Sequence, residues 1–212
     1  MKSRIKSIKT TIIHQEWSTL KQLTYEYQKQ DGSWETQKRE AYDRGDGVTI
    51  LLFNKKRNSV ILTRQFRIPT FLNGNEDGML IEACAGKLDV ANPEECIIRE
   101  VEEETGYAIK SPQKIFELYM SPGSVTEKIH FYTAPYEQQQ RVSQGGGKES
   151  EQENIEVLEM SFPDALLAVK KGDIRDAKTI LLLQFAVINR LLEEKETLLL
   201  SGDQGPHHRG PL

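Results

Sequence analysis

The chain opens with alternating polar and apolar residues and turns to continuous apolar runs only later. In "LTYEYQKQDGSWETQKREAY" the alternation runs on either side of Asp31 and Gly32. An Asp-Gly pair between such segments is a strong hairpin signal. A hairpin this polar cannot bury a core of its own, so it must pack on the rest of the chain or on a second copy. Further along, "GVTILLF" and "SVILTRQF" are β-branched runs joined by "NKKRN", a second predicted hairpin. "MLIEACAG", "KIFELYMS", "KIHFYTAPY" and "NIEVLEMS" predict further strands.

Helix signals fall between and after these strands. Asn92 is a good N-cap, Pro93 suits the first helical position, and Glu95 completes an N-x-x-E capping pattern. Gly106 is a natural left-handed stop, so a helix is predicted over 93–105, with Ile97 and Val101 toward the core. "SFPDALLAVKKGD" predicts a second helix, from a Ser161 N-cap to a Gly172 stop. "TILLLQFAVINRLL" predicts a buried helix near the C-terminus. "QQQRVSQGGGKESEQEN" is a polar, low-complexity loop whose glycines predict mobility. "SGDQGPHHRGPL" has the composition of a disordered tail, and His207 and His208 there lack companion metal ligands.

Composition narrows the classes. With 212 residues the chain can hold one domain with an appendage and bury a sizeable core. A net charge of -4 argues against nucleic acid as a partner. No run reaches the roughly 18 apolar residues of a membrane span, so no membrane association is expected. The basic N-terminus lacks the apolar stretch of a signal peptide. Cys84 and Cys96 have no redox or haem spacing and read as buried, reduced thiols, which predicts the cytoplasm.

The chemistry gathers between Gly86 and Tyr107. This stretch holds seven carboxylates and two basic residues. On the predicted helix Glu100, Glu103 and Glu104 project from one side, in the last turn. Like charges at that spacing repel, and the helix dipole disfavours them there. A solvated acidic face is the ordinary explanation of such a run. A divalent cation is the sharper one, since oxygen ligands on adjacent turns suit Mg²⁺ or Mn²⁺.

"REVEEETGY", Arg99 to Tyr107, resembles the second half of the Nudix box, G-x5-E-x7-R-E-U-x-E-E-x-G-U, where U is apolar. The first half departs from it: the Gly86 to Arg99 interval is one residue short, and Asn92 stands at the early glutamate position. "REAYDRG", "TRQFR", "NGNEDGMLIEACAG", "FELYMSPGSVTEKIHF", "NIEVLE" and "GDIRDAKT" resemble the GDP-mannose pyrophosphatase subgroup of that superfamily, near the ADP-ribose and ADP-sugar pyrophosphatases.

The resemblance implies an α/β (α+β) fold, an α/β/α sandwich around a mixed β-sheet, with an N-terminal β-hairpin arm exchanged in a homodimer. It implies an arm over 1–43, a hydrolase domain over 44–200 and a tail over 201–212. The implied activity is Mg²⁺-dependent hydrolysis of a nucleotide-sugar pyrophosphate, GDP-mannose to GMP and mannose 1-phosphate, with Mn²⁺ as a substitute ion. ADP-ribose or ADP-sugar hydrolysis is the alternative, and a non-catalytic nucleotide-sugar sensor is the alternative of another class. By resemblance Glu100, Glu104 and the Ala85 carbonyl hold the metal, Glu103 is a further ligand or catalytic acid, and Arg99 orients the glutamates. The catalytic base, which is also a metal ligand, comes from the glycine-rich loop. Anchoring on "NIEV" favours Glu153, counting from the glycines favours Glu151, and Glu149 is a third choice. Lys38, Arg39 and Glu40 reach substrate across the dimer, Trp17 stacks on the base, and Arg67 holds a phosphate. Ala85, Gly86, Lys87, Glu104, Glu127 and Lys178 complete the implied substrate contacts.

Overall fold

The computed structural model describes residues 3–193. The expected tail, with His207 and His208, and the end of the expected hydrolase domain lie outside the described residues.

The N-terminal arm is a three-stranded antiparallel sheet of β1 (Ile5–Gln15), β2 (Thr19–Gln28) and β3 (Trp34–Asp43), in that order. The Asp31–Gly32 hairpin is present, paired from Gln28↔Trp34 to Thr19↔Asp43, with Gly32 at φ 85°. The strand β1 was not legible in the pattern, and its pairing says why. Two register shifts, between Lys6 and Lys9 and between Ile12 and His14, break the period-two alternation. They leave Ile5, Ile8, Ile12 and Ile13 exposed.

The main sheet contains β4 (Gly47–Asn54), β5 (Ser59–Phe66), β6 (Met79–Glu82), β7 (Ala85–Lys87), β8 (Gln113–Tyr119), β9 (Lys128–Pro135) and β10 (Glu156–Ser161). Its path is β10-β5-β4-β9-β8, with β6 on β5 and β7 on β4. The β4–β9 pair is parallel and the other pairs are antiparallel, so the sheet is mixed. Every residue of β4 is buried, as a strand covered on both faces requires.

Helices cover both faces. The short α1 (Ile68–Leu72) follows β5, α2 (Pro93–Thr105) follows β7, and α3 (Phe162–Lys171) and α4 (Ala177–Ile188) follow β10. Alternate residues of β4 divide the core. Leu51 and Phe53 join Phe162, Ala165, Leu182 and Leu183 from α3 and α4. Val48, Ile50 and Leu52 join Cys96, Ile97 and Val101 from α2. Full burial of each such aliphatic side chain contributes about 1.5–3 kcal/mol. This is the α+β sandwich expected from the resemblance.

The caps follow the sequence with one change. Asn92 Oδ1 accepts from Glu94 N, and Glu95 Oε1 accepts from the Asn92 side-chain amide in place of its backbone N–H. Gly106 closes α2 at φ 77°. Ser161 caps α3 by accepting from Asp164 N.

The glycine-rich loop between β9 and β10 packs on the end of α2. Two 3-10 turns, Gln138–Gln140 and Glu149–Glu151, lie within it. Gly146 N and Gly147 N donate to the carbonyls of Glu104 and Glu103, at 2.9 and 3.1 Å. The loop thus satisfies carbonyls that the end of α2 would leave unpaired. Close approach explains the glycine at 145: a Cβ there would stand 2.5 Å from the Glu104 carbonyl oxygen.

Candidate catalytic site

The helix α2 carries Glu100, Glu103 and Glu104 past the edge of β7, and their environments differ. Glu104 is 2% exposed. Its Oε2 accepts from Ala85 N at 3.3 Å. Burial pushes its pKa up to about 8; hydrogen bonds from the Cys84 thiol and Ala85 N–H pull the other way, and the charges of Glu153 and Glu100 push further up. Glu100 is also raised by burial, against the bond it accepts from Arg99. A Cβ on Gly86 would stand 2.3 Å from Glu100 Cδ, so only glycine lets β7 lie this close to the carboxylate.

The loop adds one carboxylate to this group. Glu153 is half-buried, its Oε2 accepts from Lys148 N at 2.9 Å, and its charge acts on Glu104. Glu149 and Glu151 are exposed, and Glu151 faces Lys148 Nζ at 3.4 Å. Glu103 turns to Lys148 Nζ at 2.8 Å and to Arg99 Nε at 3.7 Å. The acidic face is therefore less bare than its sequence suggests. Arg99 Nη2 also meets Asp89 at 2.5 Å and Glu100 at 3.0 Å.

Two acidic groups could be considered for a cation. Ligand atoms of Asp89, Cys96 and Glu100 lie within 4.8 Å of one another. The Arg99 guanidinium already stands among them, 3.8 Å from Cys96 Sγ, and burial pushes the Cys96 thiol up to about 11. That group is satisfied by its own cation. The other group is Glu100, Glu104 and Glu153 beside the Ala85 backbone. Here Glu104 is buried with no Lys or Arg bonded to it among the described residues. A buried carboxylate without a countercharge is costly, and an all-oxygen donor set suits Mg²⁺ or Mn²⁺. Their donor chemistry suits such an ion, though their carboxylate oxygens do not all lie within 4.8 Å of one another.

This has a consequence for stability. Glu104 has its folded pKa raised above the unfolded value of 4.5. Between that value and about 8 the folded state holds a proton that the unfolded state has lost, so stability falls as pH rises through this window. Chelated protein is expected to melt at a lower temperature at pH 8 than at pH 5, with added Mg²⁺ raising the melting temperature more at pH 8. Calorimetry at both pH values checks this; equal Mg²⁺ shifts would contradict it.

The remaining expected substrate residues fall into three places. Lys38, Arg39 and Glu40 line a shallow depression on the arm with Gln22, and none bonds to the acidic group. Trp17 is 74% exposed, and the Arg44 guanidinium lies 5.7 Å from its ring centroid. Arg44 Nε in turn faces Glu127 Oε1 at 3.3 Å, so Arg44 links the arm to Glu127. Arg67 Nε donates to Glu82 Oε2 at 2.7 Å, and Lys178 Nζ lies 3.4 Å from Glu82 Oε1 and 2.6 Å from Asp176 Oδ1. Lys87 is exposed at the end of β7. Arg44, Glu82 and Asp176 went unflagged in the sequence. The available signals were a charged residue inside the apolar run "MLIEACAG" and a capping aspartate before "AKTILLL".

Comparison with known proteins accords with this geometry. Residues 4–42 match the family model described as "GDP-mannose pyrophosphatase NudK N-terminal domain". Residues 43–183 match the NUDIX domain model. The chain is 50% identical over 188 residues to a protein of Pectobacterium atrosepticum named GDP-mannose pyrophosphatase, covering 89% of this chain and 96% of that one. It is 51% identical over 193 residues to one of that name from Shigella flexneri, covering 91% and 100%. A Cronobacter sakazakii protein of the same name is 49% identical over the same coverage. With a Nudix box ending α2, a Nudix model over most of its length and relatives that align nearly end to end, the chain belongs to the Nudix family.

Proposed function

We propose that the protein hydrolyses the pyrophosphate bond of a nucleotide sugar, with GDP-mannose as substrate and GMP and mannose 1-phosphate as products. The observation that carries this reading is Glu104: buried, without a cationic partner among the described residues, bonded to Ala85 N and under the charges of Glu100 and Glu153. The substrate follows from the names of the relatives and from the N-terminal match.

Glu100, Glu104, Glu153 and the Ala85 carbonyl would hold Mg²⁺, or Mn²⁺ in its place. When bound there, such an ion would supply positive charge against the pyrophosphate oxygens and a more acidic attacking water. Arg99 fixes the rotamer of Glu100 from the side facing Asp89. Lys148 ties the loop to α2 through Glu103, so Glu103 supports the site from beside the ligands. Glu153 takes the water proton, since it is the loop glutamate whose charge acts on Glu104. Glu149 and Glu151 are directed to solvent. Arg67 and Lys178 contact a phosphate, and Glu127, Gly86 and Lys87 line the path of the substrate.

In this reading residues 1–43 serve as the dimer arm, 44–200 as the hydrolase domain and 201–212 as a tail. Lys38, Arg39 and Glu40 act on the partner copy's site, with Trp17 stacking on the base. Two features support a homodimer: the arm residues do not meet the acidic group of their own chain, and β1 exposes Ile5, Ile8, Ile12 and Ile13. Sedimentation is expected to give a dimer; a fully active monomer would contradict the shared site. Two free, buried cysteines support a reducing, cytoplasmic setting, and no described helix is long and apolar enough to cross a membrane.

A panel of GDP-mannose, ADP-ribose, ADP-glucose and UDP-glucose, with products resolved by chromatography, tests the substrate. The expected result is fastest turnover of GDP-mannose, to GMP and mannose 1-phosphate. Faster turnover of ADP-ribose would move the assignment to the adenine branch.

A further inference from the structure

A circuit of buried polar groups stands apart from the acidic site. Glu82, at the end of β6, has a side chain only 4% exposed, yet it touches two cations that lie far from each other in sequence. Its Oε2 accepts from Arg67 Nε at 2.7 Å and its Oε1 from Lys178 Nζ at 3.4 Å. Lys178 also donates to Asp176 Oδ1 at 2.6 Å. The other oxygen of Asp176 accepts from Thr179 N at 2.9 Å and from Thr179 Oγ1 at 2.7 Å. Thr179 Oγ1 in turn accepts from Ala83 N at 2.6 Å, which closes the circuit next to Glu82.

Each link has a physical role. Asp176 is the N-cap of α4, so the helix start fixes it. Burial works against the charge on Lys178, but Asp176 and Glu82 hold the ammonium above the usual lysine range. Arg67 precedes α1 and is 40% exposed. Among the described residues its guanidinium is engaged only through Nε, which leaves the terminal fork for a ligand. Two neighbouring cations would otherwise repel; a single carboxylate between them allows them to stand side by side.

We propose that Glu82 is a positioning residue for substrate binding, holding Arg67 and Lys178 together as a two-pronged clamp for one phosphate. The proposal rests on the reading of those two cations as substrate contacts. Glu82 itself touches no substrate. It lies three residues before Ala85 on the same stretch of chain, so the clamp and the acidic group share one backbone support.

The test uses the full-length protein, GDP-mannose and Mn²⁺. Glu82→Gln is expected to raise KM about 30-fold or more and to change kcat less than about threefold, the pattern of lost uniform binding. Mn²⁺ affinity without substrate, read by electron paramagnetic resonance, is expected to stay at the wild-type value. Arg67→Ala is expected to raise KM similarly, and the double variant to be little worse than the weaker-binding single. Glu82→Asp keeps the charge but is a methylene too short to bridge both cations. It is expected to melt with the wild type while KM remains raised, and it carries the test if Glu82→Gln fails to fold. A wild-type KM in Glu82→Asp, or losses that multiply in the double variant, would overturn the clamp. A wild-type KM in both Arg67→Ala and Lys178→Ala would instead overturn their reading as substrate contacts, and the clamp with it.

Discussion

Glu104→Gln is expected to slow hydrolysis of GDP-mannose by at least about 10²- to 10³-fold at saturating Mg²⁺, the scale of losing one electrostatic contact to the transition state. The amide has nearly the shape of the carboxylate and can still accept from Ala85 N. What it loses is the charge that a divalent ion would bind. Because the wild-type side chain is buried beside Glu100 and Glu153, neutralising it also relieves repulsion. The chelated variant should therefore melt no lower than the chelated wild type at pH 8. Loss of activity with retained or increased stability separates a metal ligand from a structural residue. Steady-state kinetics and calorimetry on one preparation read both. Turnover within a few-fold of wild type would remove Glu104 from the site.

The second large effect concerns the loop. Glu153→Gln is expected to lower kcat by about 10²- to 10⁴-fold, as loss of a positioned general base typically does. Glu151→Gln is expected to stay within about threefold of wild type, as a change to a screened surface pair should. The contrast follows from their surroundings. Glu153 accepts from Lys148 N and its charge reaches Glu104 and Cys84. Glu151 is exposed, and among the described residues its carboxylate meets only the flexible end of Lys148. Glutamine at 153 can still accept from Lys148 N, so the loop path should survive and the loss would report on chemistry. Comparing the two kcat values decides the assignment; a severe loss at Glu151 with normal turnover at Glu153 would reverse it.

Much of this architecture was legible in the sequence because local chemistry and global fold agree along α2. Asn92, Pro93 and Gly106 mark its ends, and the apolar residues Ile97 and Val101 mark its buried side. The central hairpin was equally plain, since β4 and β5 are buried along nearly their whole lengths. The strand β1 was hidden because its register shifts destroy the alternation by which exposed strands are recognised. The packing of the glycine-rich loop was hidden for a different reason. Glycine permits close approach as well as mobility, and composition does not show where a loop packs. Here Gly145 and Gly146 lie against the carbonyl end of α2. The choice between Glu151 and Glu153 likewise depends on a turn with Gln152 at φ 57°, which sends neighbouring side chains in different directions. Long-range pairings such as Arg67 with Glu82, or Arg44 with Glu127, join residues whose proximity no local pattern encodes.

The central claim is that the acidic group at the end of α2 works only with a divalent ion. It is tested most directly by GDP-mannose turnover of chelated protein titrated with Mg²⁺, with products resolved. The expected result is negligible hydrolysis after chelation, restored by Mg²⁺ in wild type, to GMP and mannose 1-phosphate, but not in Glu104→Gln. Undiminished hydrolysis by the chelated wild type would contradict it.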